Sequence, residues 1–302
     1  MKFVTFRESG IARAGVLVGD GVSGEERVVD LADAAMRDAL GGAQPQVLAL
    51  IEKGLAGIVR DIEARGLAGT AQFPIAAVQL LAPIPVPRRI YGIAHNYNDA
   101  LAERGMAPPA EPVLFMKAGE TVIAPGDAIV LPAGIGGVTY EAELAAVIGR
   151  TASCVGESEA LDFVAAYGIF NDVSASDLIK RDGKFDRGKN LPTFGPFGPY
   201  ILSSDEVKDP QALKVGLSVD GKVLQAGSTK DMRFGVAQLI AYLSHRQPLE
   251  PGDIIATGTP AGVAAMHKPP AWLKPGTSVR VSVEALGYLT NPIIEGPAVN
   301  VF

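Results

Sequence analysis

Apolar residues in the first 75 positions follow two different periods. The segments MKFVTF and AGVLVGD set apolar runs between glycines and charged residues, a pattern typical of half-buried strands. From Gln46 onward apolar residues recur at steps of three and four, which predicts a helix that ends before Gly66. These positions are Leu48, Ile51, Leu55, Ile58 and Ile62. The pattern predicts a small α+β unit over residues 1–75, followed by a proline-rich lead-in at 81–89.

Residues 76–302 carry turn signals that precede apolar or alternating runs. A Pro-Gly pair before such a run is typical of a turn that leads into a strand. These pairs are Pro125-Gly126, Pro251-Gly252 and Pro275-Gly276. A helix is predicted over 231–244, with Ser228 and Asp231 at capping-box spacing, and a shorter one over 98–104. This second unit is predicted to be mostly β.

Composition narrows the classes of protein that fit this pattern. With 302 residues, 48% of them hydrophobic and a mean hydropathy of +0.22, the chain can bury a sizeable core. A net charge of −6 without a block of Lys or Arg argues against nucleic acid and membrane surfaces as partners. The single cysteine, Cys154, excludes an internal disulfide and a Cys-rich metal cluster. Without a signal-peptide pattern or an apolar run of about 18 residues, the chain is predicted to be cytoplasmic.

One segment comes close to a phosphate-binding loop but lacks its context. Residues 183–190, GKFDRGKN, match G-x-x-x-x-G-K and then place Asn190 where Ser or Thr belongs. Such a loop needs a strand before it and a helix after it, so that helical N–H groups face the phosphate. Pro192, Gly195 and Pro196 follow instead and prevent a helix, which argues against nucleotide binding.

Two glutamates stand at the start of an apolar run, YEAELAAVIG. On a strand, Glu141 and Glu143 project from one face, about 7 Å apart. If the strand is buried, two ionised carboxylates need a cation, a proton or a basic partner. Asp172 ends the next apolar run, so the three predict a hard-oxygen site for Mg²⁺, Mn²⁺ or Ca²⁺. The alternative is an edge strand with both glutamates in solvent and Asp172 capping a turn.

Several short motifs then follow one another over residues 90 to about 292. They are YGIAHNYNDALAERG, PVLFMK, TYEAELAAVIG, NDVSASD, GKNLPTFGPFGPYIL, PGDIIATGTPAGV, KPPAWLKPG and EALGYLTN. In this order they resemble the fumarylacetoacetate hydrolase family, with its GxNYxxHxxE segment, PxxFxK strand and metal-binding YExEL strand. The agreement of many motifs in register carries the resemblance, since each alone is weak.

The resemblance implies roles for individual residues. Glu141, Glu143 and Asp172 match the family's three metal ligands, with Mg²⁺ as the favoured cation and Mn²⁺ or Ca²⁺ as alternatives. Lys189 matches a lysine that reaches into the site, and the alternative is a solvated surface lysine. Thr259 matches a loop that borders the substrate, although a plain strand-end turn is an equal interpretation.

The family's acid–base pair is incomplete in this chain. The family supplies a His followed three residues later by a Glu; Glu103 is present, but Ala100 occupies the histidine position. Positions 100 and 103 share a helix face, so the geometry of the pair survives. On a helix, His95 would be rotated by about 140° around the axis from position 100. We therefore expect it to pack beside the strand end instead of replacing the base. Ala100 is either an engineered substitution that arrests catalysis or the natural residue of a member that works without the pair.

Four further residues lie outside that pair. Lys117 ends the PxxFxK strand, and a structural role is as consistent with this position as a catalytic one. Ser176 stands where many members carry Arg after DVSA, so no carboxylate clamp is implied there. His245 and His267 are predicted to be surface or turn residues.

The resemblance also implies a fold and a reaction. The fold is α+β and mostly β, with a small N-terminal domain (1–75), a larger domain (76–302) of mixed sheets rolled into a sandwich-like barrel, and assembly as a homodimer. The reaction is metal-dependent hydrolysis of a C–C bond in a β-diketo acid, such as an acylpyruvate or a 2,4-diketo acid. The residues implied in it are Glu103, Lys189 and position 100 for catalysis, and Thr259 and Lys189 for the substrate.

Two alternatives to hydrolysis stay open. Decarboxylation of a β-oxo acid or tautomerisation of a dienoate needs the same metal-bound enolate but no hydrolytic water, which suits Ala100. The other alternative is a protein that binds metal or ligand without catalysis.

Overall fold

The computed structural model describes residues 1–19 and 26–298; Asp20, the last residue of the predicted AGVLVGD strand, lies outside them. The first strands are Lys2–Glu8 (β1), Ile11–Val18 (β2), Arg27–Asp30 (β3), Gln72–Pro74 (β4) and Gln79–Leu81 (β5). The later strands are Ile90–Ala94 (β6), Val113–Lys117 (β7), Val122–Ile123 (β8), Ile129–Pro132 (β9), Val138–Thr139 (β10), Ala142–Ile148 (β11), Val164–Asn171 (β12), Ser174–Ala175 (β13), Gly195–Ser203 (β14), Lys214–Val219 (β15), Lys222–Ser228 (β16), Ile254–Ala256 (β17), Ser278–Val283 (β18) and Gly287–Gly296 (β19). The α-helices are Val47–Arg65 (α1), Asn98–Glu103 (α2), Ser176–Asp182 (α3), Asp186–Lys189 (α4) and Val236–Ser244 (α5).

Most strands belong to one large mixed sheet with the order β4-β3-β2-β1-β14-β12-β11-β17-β6-β7. β5 joins this sheet beside β1, and β8 joins it beside β14. A second sheet has the order β16-β15-β18-β19-β9, and β10 pairs with β13. Neighbours are antiparallel except for β17 with β6, β8 with β14, and β9 with β19.

The predicted class, α+β and mostly β, is confirmed, but the predicted barrel does not close. Within the described residues the path of the large sheet ends at β4 and β7, which do not pair with each other. Both of its faces are covered by separate layers, so burial of the sheet does not require closure. β1 pairs with β14, so the sheet runs across residue 75, and the domain boundary there stays a prediction.

The large sheet is buried on both faces. α1 packs on β1, β12 and β14 from one side, and β15 and β18 pack on β11 and β12 from the other. In β11 the side chains alternate accordingly: Ala145 and Val147 join the core beneath α1, whereas Leu144 and Ala146 join the core between the sheets. A charged residue at the start of β11 therefore enters an enclosed strand and needs a polar partner.

Two of the three predicted helices have the expected bounds. α1 ends at Gly66, whose φ of 73° and N–H bond to the Ile62 carbonyl form the predicted cap. α2 covers Asn98–Glu103, the short helix predicted before Gly105.

The predicted helix over 231–244 is shorter in the structure, because α5 begins only at Val236. Ser228 instead caps a separate 3₁₀ turn, where its hydroxyl accepts the Lys230 N–H. Met232 has an extended backbone and pairs with Tyr97 beside α2, which interrupts the helical path. The segment before α5 is thus used to anchor α2.

Two exclusions also follow from the described residues. The segment 183–190 follows α3 instead of a strand and contains α4, so it lacks the strand–loop–helix geometry of a phosphate-binding loop. No described helix is long and apolar enough to cross a membrane.

β6 and β7 approach each other closely at Gly92 in β6. A larger residue at this position is therefore expected to lower the stability of the protein. A Cβ built there would lie 2.0 Å from Cζ of Phe115 on β7, well inside van der Waals contact. Gly92→Ala is therefore expected to lower the free energy of unfolding by about 1–3 kcal/mol, the usual cost of overpacking, as measured by urea denaturation.

Gly57→Ala is the matched control, because Gly57 lies within α1 and its Cβ would meet no atom closer than 3.8 Å. This variant is expected to stabilise the protein by about 0.5–1 kcal/mol, the gain of alanine over glycine in a helix. Equal unfolding free energies for both variants and the parent would contradict the packing described here.

Candidate metal centre and active-site cavity

Three carboxylates meet where β11 begins and β12 ends. The strand register sets Ala142 opposite Asn171, and the Asp172 N–H donates to the Glu141 carbonyl at 3.0 Å. One oxygen each from Glu141, Glu143 and Asp172 lies within 4.8 Å of the others. Glu143 and Asp172 are buried, and Glu141 is partly exposed. Because β11 lies between β12 and β17, the alternative of an exposed edge strand is wrong.

This set of donors fits a divalent cation. Two oxygen ligands of one Mg²⁺ or Ca²⁺ lie at most about 4–5 Å apart, and the three observed oxygens stay within that limit. Burial, and then the charges of Asp172 and Glu141, raise the pKa of Glu143 well above its usual range. Among the described residues Glu143 accepts one hydrogen bond, from the Gly258 N–H at 3.0 Å. A cation at the three oxygens would offset this uncompensated negative charge.

Lys189, at the end of α4, bridges two of the carboxylates. Its Nζ donates to Glu141 Oε2 at 2.7 Å and to Asp172 Oδ2 at 2.5 Å. Burial opposes the ammonium form, but the three carboxylates outweigh it and raise the pKa of Lys189. Within the described residues Nζ donates to these two oxygens and lies 4.8 Å from the Phe115 ring centroid, so one of the three ammonium N–H groups has no oxygen acceptor there. That N–H is available to a ligand.

Lys117, the last residue of β7, holds Asp172 in place through hydrogen bonds. Its Nζ donates to Asp172 Oδ1 at 2.9 Å and to the carbonyls of Val173 at 3.3 Å and Lys189 at 2.5 Å. Burial lowers the pKa of Lys117, whereas the two lysines outweigh burial at Asp172 and lower the pKa of that carboxyl. All three donors of Lys117 are used within the protein, so of the two predicted roles the structure favours positioning.

A cavity of about 250 Å³ opens beside the triad. Its wall brings together Glu141, Lys189, Thr259 and Ala100, which lie far apart in the sequence. Ala100 is itself almost fully buried there. These four predicted site residues therefore share one cavity, whereas Glu143 and Asp172 are buried beside Glu141 and do not line it. Glu103 lies at the side of α2 facing the loop after β17.

Thr259 is held in this wall by a residue of the second sheet. The Gln225 side chain on β16 donates to Thr259 Oγ1 at 2.8 Å and to the Pro260 carbonyl at 2.9 Å. Its carbonyl oxygen accepts the Ala142 N–H at 3.0 Å at the start of β11. Because Thr259 Oγ1 accepts this bond, its own hydrogen remains free to point into the cavity.

The two acids of α2 hold the loop that carries Thr259. Asp99 accepts the Ala261 N–H at 3.2 Å, and Glu103 accepts the Gly262 N–H at 3.0 Å. Glu103 therefore has a structural partner in this chain that does not depend on a histidine at position 100. This bond to the loop is a second explanation for the presence of Glu103 beside Ala100, and the sequence alone did not provide it.

His95 lies closer to the site than its distance along a helix suggested. It precedes α2 in a left-handed turn with φ 58°, so the helical rotation of about 140° does not apply to it. Its ring lines the cavity, 6.3 Å from the Phe185 ring, and Nδ1 lies 3.4 Å from Arg104 Nη1. Burial, Arg104 and Lys189 lower the pKa of His95, which favours a neutral imidazole.

Comparison with known proteins agrees with this geometry. The model of the fumarylacetoacetate (FAA) hydrolase C-terminal domain matches residues 89–294, more than half of the chain. The chain belongs to the fumarylacetoacetate hydrolase family. A protein of Burkholderia lata, named only as a hydrolase, is 49% identical over 201 residues, which are 66% of this chain and 71% of its own length.

Solved structures of the family cover nearly the whole chain. A fumarylacetoacetate hydrolase from Exiguobacterium antarcticum aligns with 98% of this chain and 100% of its own, at 34% identity and a TM-score of 0.82. Maleylpyruvate hydrolase from Sphingobium sp. SYK-6, in complex with manganese(II) and pyruvate, has the same coverage, 31% identity and a TM-score of 0.79. A 2-hydroxyhepta-2,4-diene-1,7-dioate isomerase from Mycobacterium marinum covers 98% of both chains, at 30% identity and a TM-score of 0.78.

Three positions singled out in the sequence remain, and the structure places one of them in the cavity wall and two outside it. Ser176 lines the cavity at the start of α3. His245 is exposed at the end of α5, and His267 bonds to the Gly262 carbonyl at 2.9 Å. Both histidines lie outside the cavity wall, as the surface and turn prediction requires.

Reasoning from the sequence missed three residues of this site. Gln225 positions Thr259 from another sheet, and no local pattern marks it. Arg104 and Lys180 line the cavity; Arg104 follows the last matched position of the YGIAHNYNDALAERG segment, and Lys180 lies outside the quoted motifs. The spacing of Lys180 four residues after Ser176 on a helix is the one signal that could have found it.

Proposed function

We propose that this protein is a metal-dependent hydrolase that cleaves a C–C bond in a β-diketo acid, such as an acylpyruvate. The observation that carries the proposal is the cluster of three carboxylates bound by Lys189, which meets one cavity through Glu141 and Lys189, beside Thr259 and position 100. The likeness to maleylpyruvate hydrolase supports this reaction class.

The residues present can hold the metal that such a reaction uses. Glu141, Glu143 and Asp172 supply only oxygen ligands, the donors that suit Mg²⁺, with Mn²⁺ or Ca²⁺ as alternatives. A bound divalent cation supplies Lewis-acid chemistry at a 2-oxo carboxylate and lowers the energy of its enolate.

Two side chains have free donors for the substrate. The N–H of Lys189 that has no oxygen acceptor among the described residues is placed to stabilise an oxyanion as water adds to the distal carbonyl. The Thr259 hydroxyl is placed to orient the substrate. The C–C bond then breaks, its electron pair passes to the enolate carbon, and a proton completes pyruvate and a carboxylic acid as products.

Activation of the water is the step that the residues of this chain support least. The wall at Ala100 offers a methyl group where the family places an imidazole. We therefore expect slow hydrolysis by the chain as it stands, whether Ala100 is engineered or natural.

Ala100 is also the observation that favours a second candidate function. A β-oxo acid decarboxylase or a dienoate isomerase uses enolate stabilisation without a hydrolytic water, and the likeness to a dienoate isomerase supports this candidate. His95 does not restore the base, because its Nδ1 faces a guanidinium.

Identification of products separates these functions. The protein is incubated with Mg²⁺ and an acylpyruvate, oxaloacetate or a 2-hydroxydienoate, and the products are determined by NMR spectroscopy, with EDTA as control. Pyruvate and a carboxylic acid from the acylpyruvate support hydrolysis. Turnover of oxaloacetate or the dienoate alone supports the second candidate. Metal-dependent binding without turnover of any of them indicates a non-catalytic binder.

A further inference from the structure

Lys189 reaches the carboxylates from α4, a helix of only four residues. A single helical turn is not stable by itself in water, because nucleation fixes several residues for one hydrogen bond. The position of the Lys189 ammonium therefore depends on contacts that hold this turn against the rest of the protein. The residues on either side of Lys189, Gly188 and Asn190, make such contacts.

Gly188 allows α4 to lie close against β13 and α3. A Cβ built on Gly188 would lie 2.4 Å from Ile179 Cγ1 and 2.8 Å from the Ala175 carbonyl oxygen. Any larger residue would therefore push α4 away from this position. Glycine has no side chain to form a bond, so the directional contacts that hold α4 must come from other residues.

Asn190 supplies such contacts through its side-chain amide. Its Oδ1 accepts the Ala118 N–H at 2.5 Å, and its Nδ2 donates to the carbonyls of Met116 at 3.1 Å and Asp186 at 2.8 Å. The reversed amide would set its oxygen against two carbonyls and its NH₂ against an N–H, so only this orientation satisfies all three partners. One side chain thus closes the turn of α4 and ties it to the end of β7.

β7 offers these partners because it is the last strand of the large sheet, and no described strand pairs with its outer edge. Successive residues of a strand direct their N–H and C=O groups to opposite edges, so Met116 and Ala118 present theirs away from β6. Lys117 lies between them, and its Nζ donates to the Lys189 carbonyl at 2.5 Å. The Asn190 amide therefore pairs with this edge as a neighbouring strand would.

We propose that Asn190 is a positioning residue that fixes Lys189 for the reaction by tying α4 to the outer edge of β7. The inference rests on the proposed function for the role of the Lys189 ammonium, and it assigns a role to the last position of segment 183–190. Asn190 does not line the cavity, so it acts on a ligand only through Lys189.

Asn190→Asp tests the two bonds that the amide nitrogen donates. It keeps the size of the side chain and the acceptor for the Ala118 N–H, but a carboxylate donates nothing to the carbonyls of Met116 and Asp186. The measurement is the rate at which acetic anhydride acetylates Lys189 in the folded protein with EDTA, followed by mass spectrometry. The buried Lys189 is expected to react about 10- to 100-fold faster, because loss of two hydrogen bonds favours local opening by that factor.

Two controls separate release of α4 from general loosening. Lys117 is also buried and keeps its bonds to Asp172 and Val173, so its acetylation rate should stay within about twofold of the parent's. Asn291→Asp is the matched variant, because the Asn291 amide also donates to two backbone carbonyls, outside the cavity. It should lower the free energy of unfolding without exposing Lys189.

Kinetics and cation binding give a second, independent pair of readouts. In Asn190→Asp the kcat for the acylpyruvate or oxo acid that the parent turns over is expected to fall about 10- to 100-fold, because the oxyanion donor is no longer held in place. The affinity for Mn²⁺ should not fall, since the three carboxylates lie at the ends of β11 and β12 and lose only a neighbouring positive charge.

Three outcomes overturn the inference: Lys189 that reacts no faster in Asn190→Asp than in the parent, acetylation of Lys117 and Lys189 that rises equally, or equal exposure of Lys189 in Asn291→Asp. Failure of the proposed function looks different, because the parent would then turn over none of the substrates while Asn190→Asp still exposes Lys189. That result upholds the positioning of Lys189 and removes the oxyanion from its role.

Discussion

Ala100→His is expected to raise the rate of metal-dependent acylpyruvate hydrolysis by about 100-fold or more, the usual size of a general-base contribution. Position 100 lies in the cavity wall with Glu141 and Lys189, so an imidazole there reaches the space where water must add. Binding should change far less, because the triad and Lys189 supply most of it. The kcat for pyruvate release and the Kd for pyruvate measure the two quantities.

The control combines Ala100→His with Glu103→Gln. A glutamine oxygen can still accept the Gly262 N–H, so the loop that carries Thr259 is kept while the charge beside the new imidazole is removed. Most of the gain in kcat should disappear. If Ala100→His leaves hydrolysis unchanged for several acylpyruvates while the parent protein decarboxylates oxaloacetate, the hydrolase proposal fails and the second candidate replaces it.

Asp172→Asn is expected to remove divalent cation binding and to lower the free energy of unfolding by about 3–5 kcal/mol. The substitution keeps the volume of the side chain but leaves the buried Lys117 without its counter-charge and Lys189 with one carboxylate fewer. Urea denaturation in EDTA measures stability, and calorimetry with Mn²⁺ measures binding.

Asp253→Asn is the control that separates the effect on stability from the effect on cation binding. Asp253 is also buried and paired with an arginine, Arg89 at 2.7 Å, but it lies outside the triad. It should lose stability and keep cation binding. Should Asp172→Asn not fold, Glu141→Gln on a partly exposed side chain provides the test, since Lys189 keeps Asp172. Unchanged Mn²⁺ affinity in Glu141→Gln or Asp172→Asn contradicts the assigned ligands.

The grouping of the three carboxylates could be predicted from sequence because its geometry is local. A strand period of two sets Glu141 and Glu143 on one face, and an apolar run that ends in Asp172 brings a second strand to the same edge. Because β11 is buried on both faces in the structure, the alternative of an exposed strand is excluded. α1 was predictable for the same reason, since its periodicity and Gly66 cap lie within one segment.

The parts that sequence did not provide depend on distant contacts. Met232 pairs with Tyr97, more than a hundred residues away, and this pairing shortens α5. Gln225 reaches Thr259 from another sheet, and His95 turns into the cavity through a left-handed backbone. Barrel closure was inferred from resemblance alone, whereas the sheet is covered by other layers.

The central claim is that Glu141, Glu143 and Asp172 hold one divalent cation to which an oxo acid binds. Titration with Mn²⁺, followed by electron paramagnetic resonance of the free ion with and without pyruvate, tests it most directly. We predict one Mn²⁺ site per chain that pyruvate tightens, because linkage between two ligands of one centre is reciprocal. Absence of a stoichiometric site, or Mn²⁺ affinity that pyruvate leaves unchanged, would contradict the account.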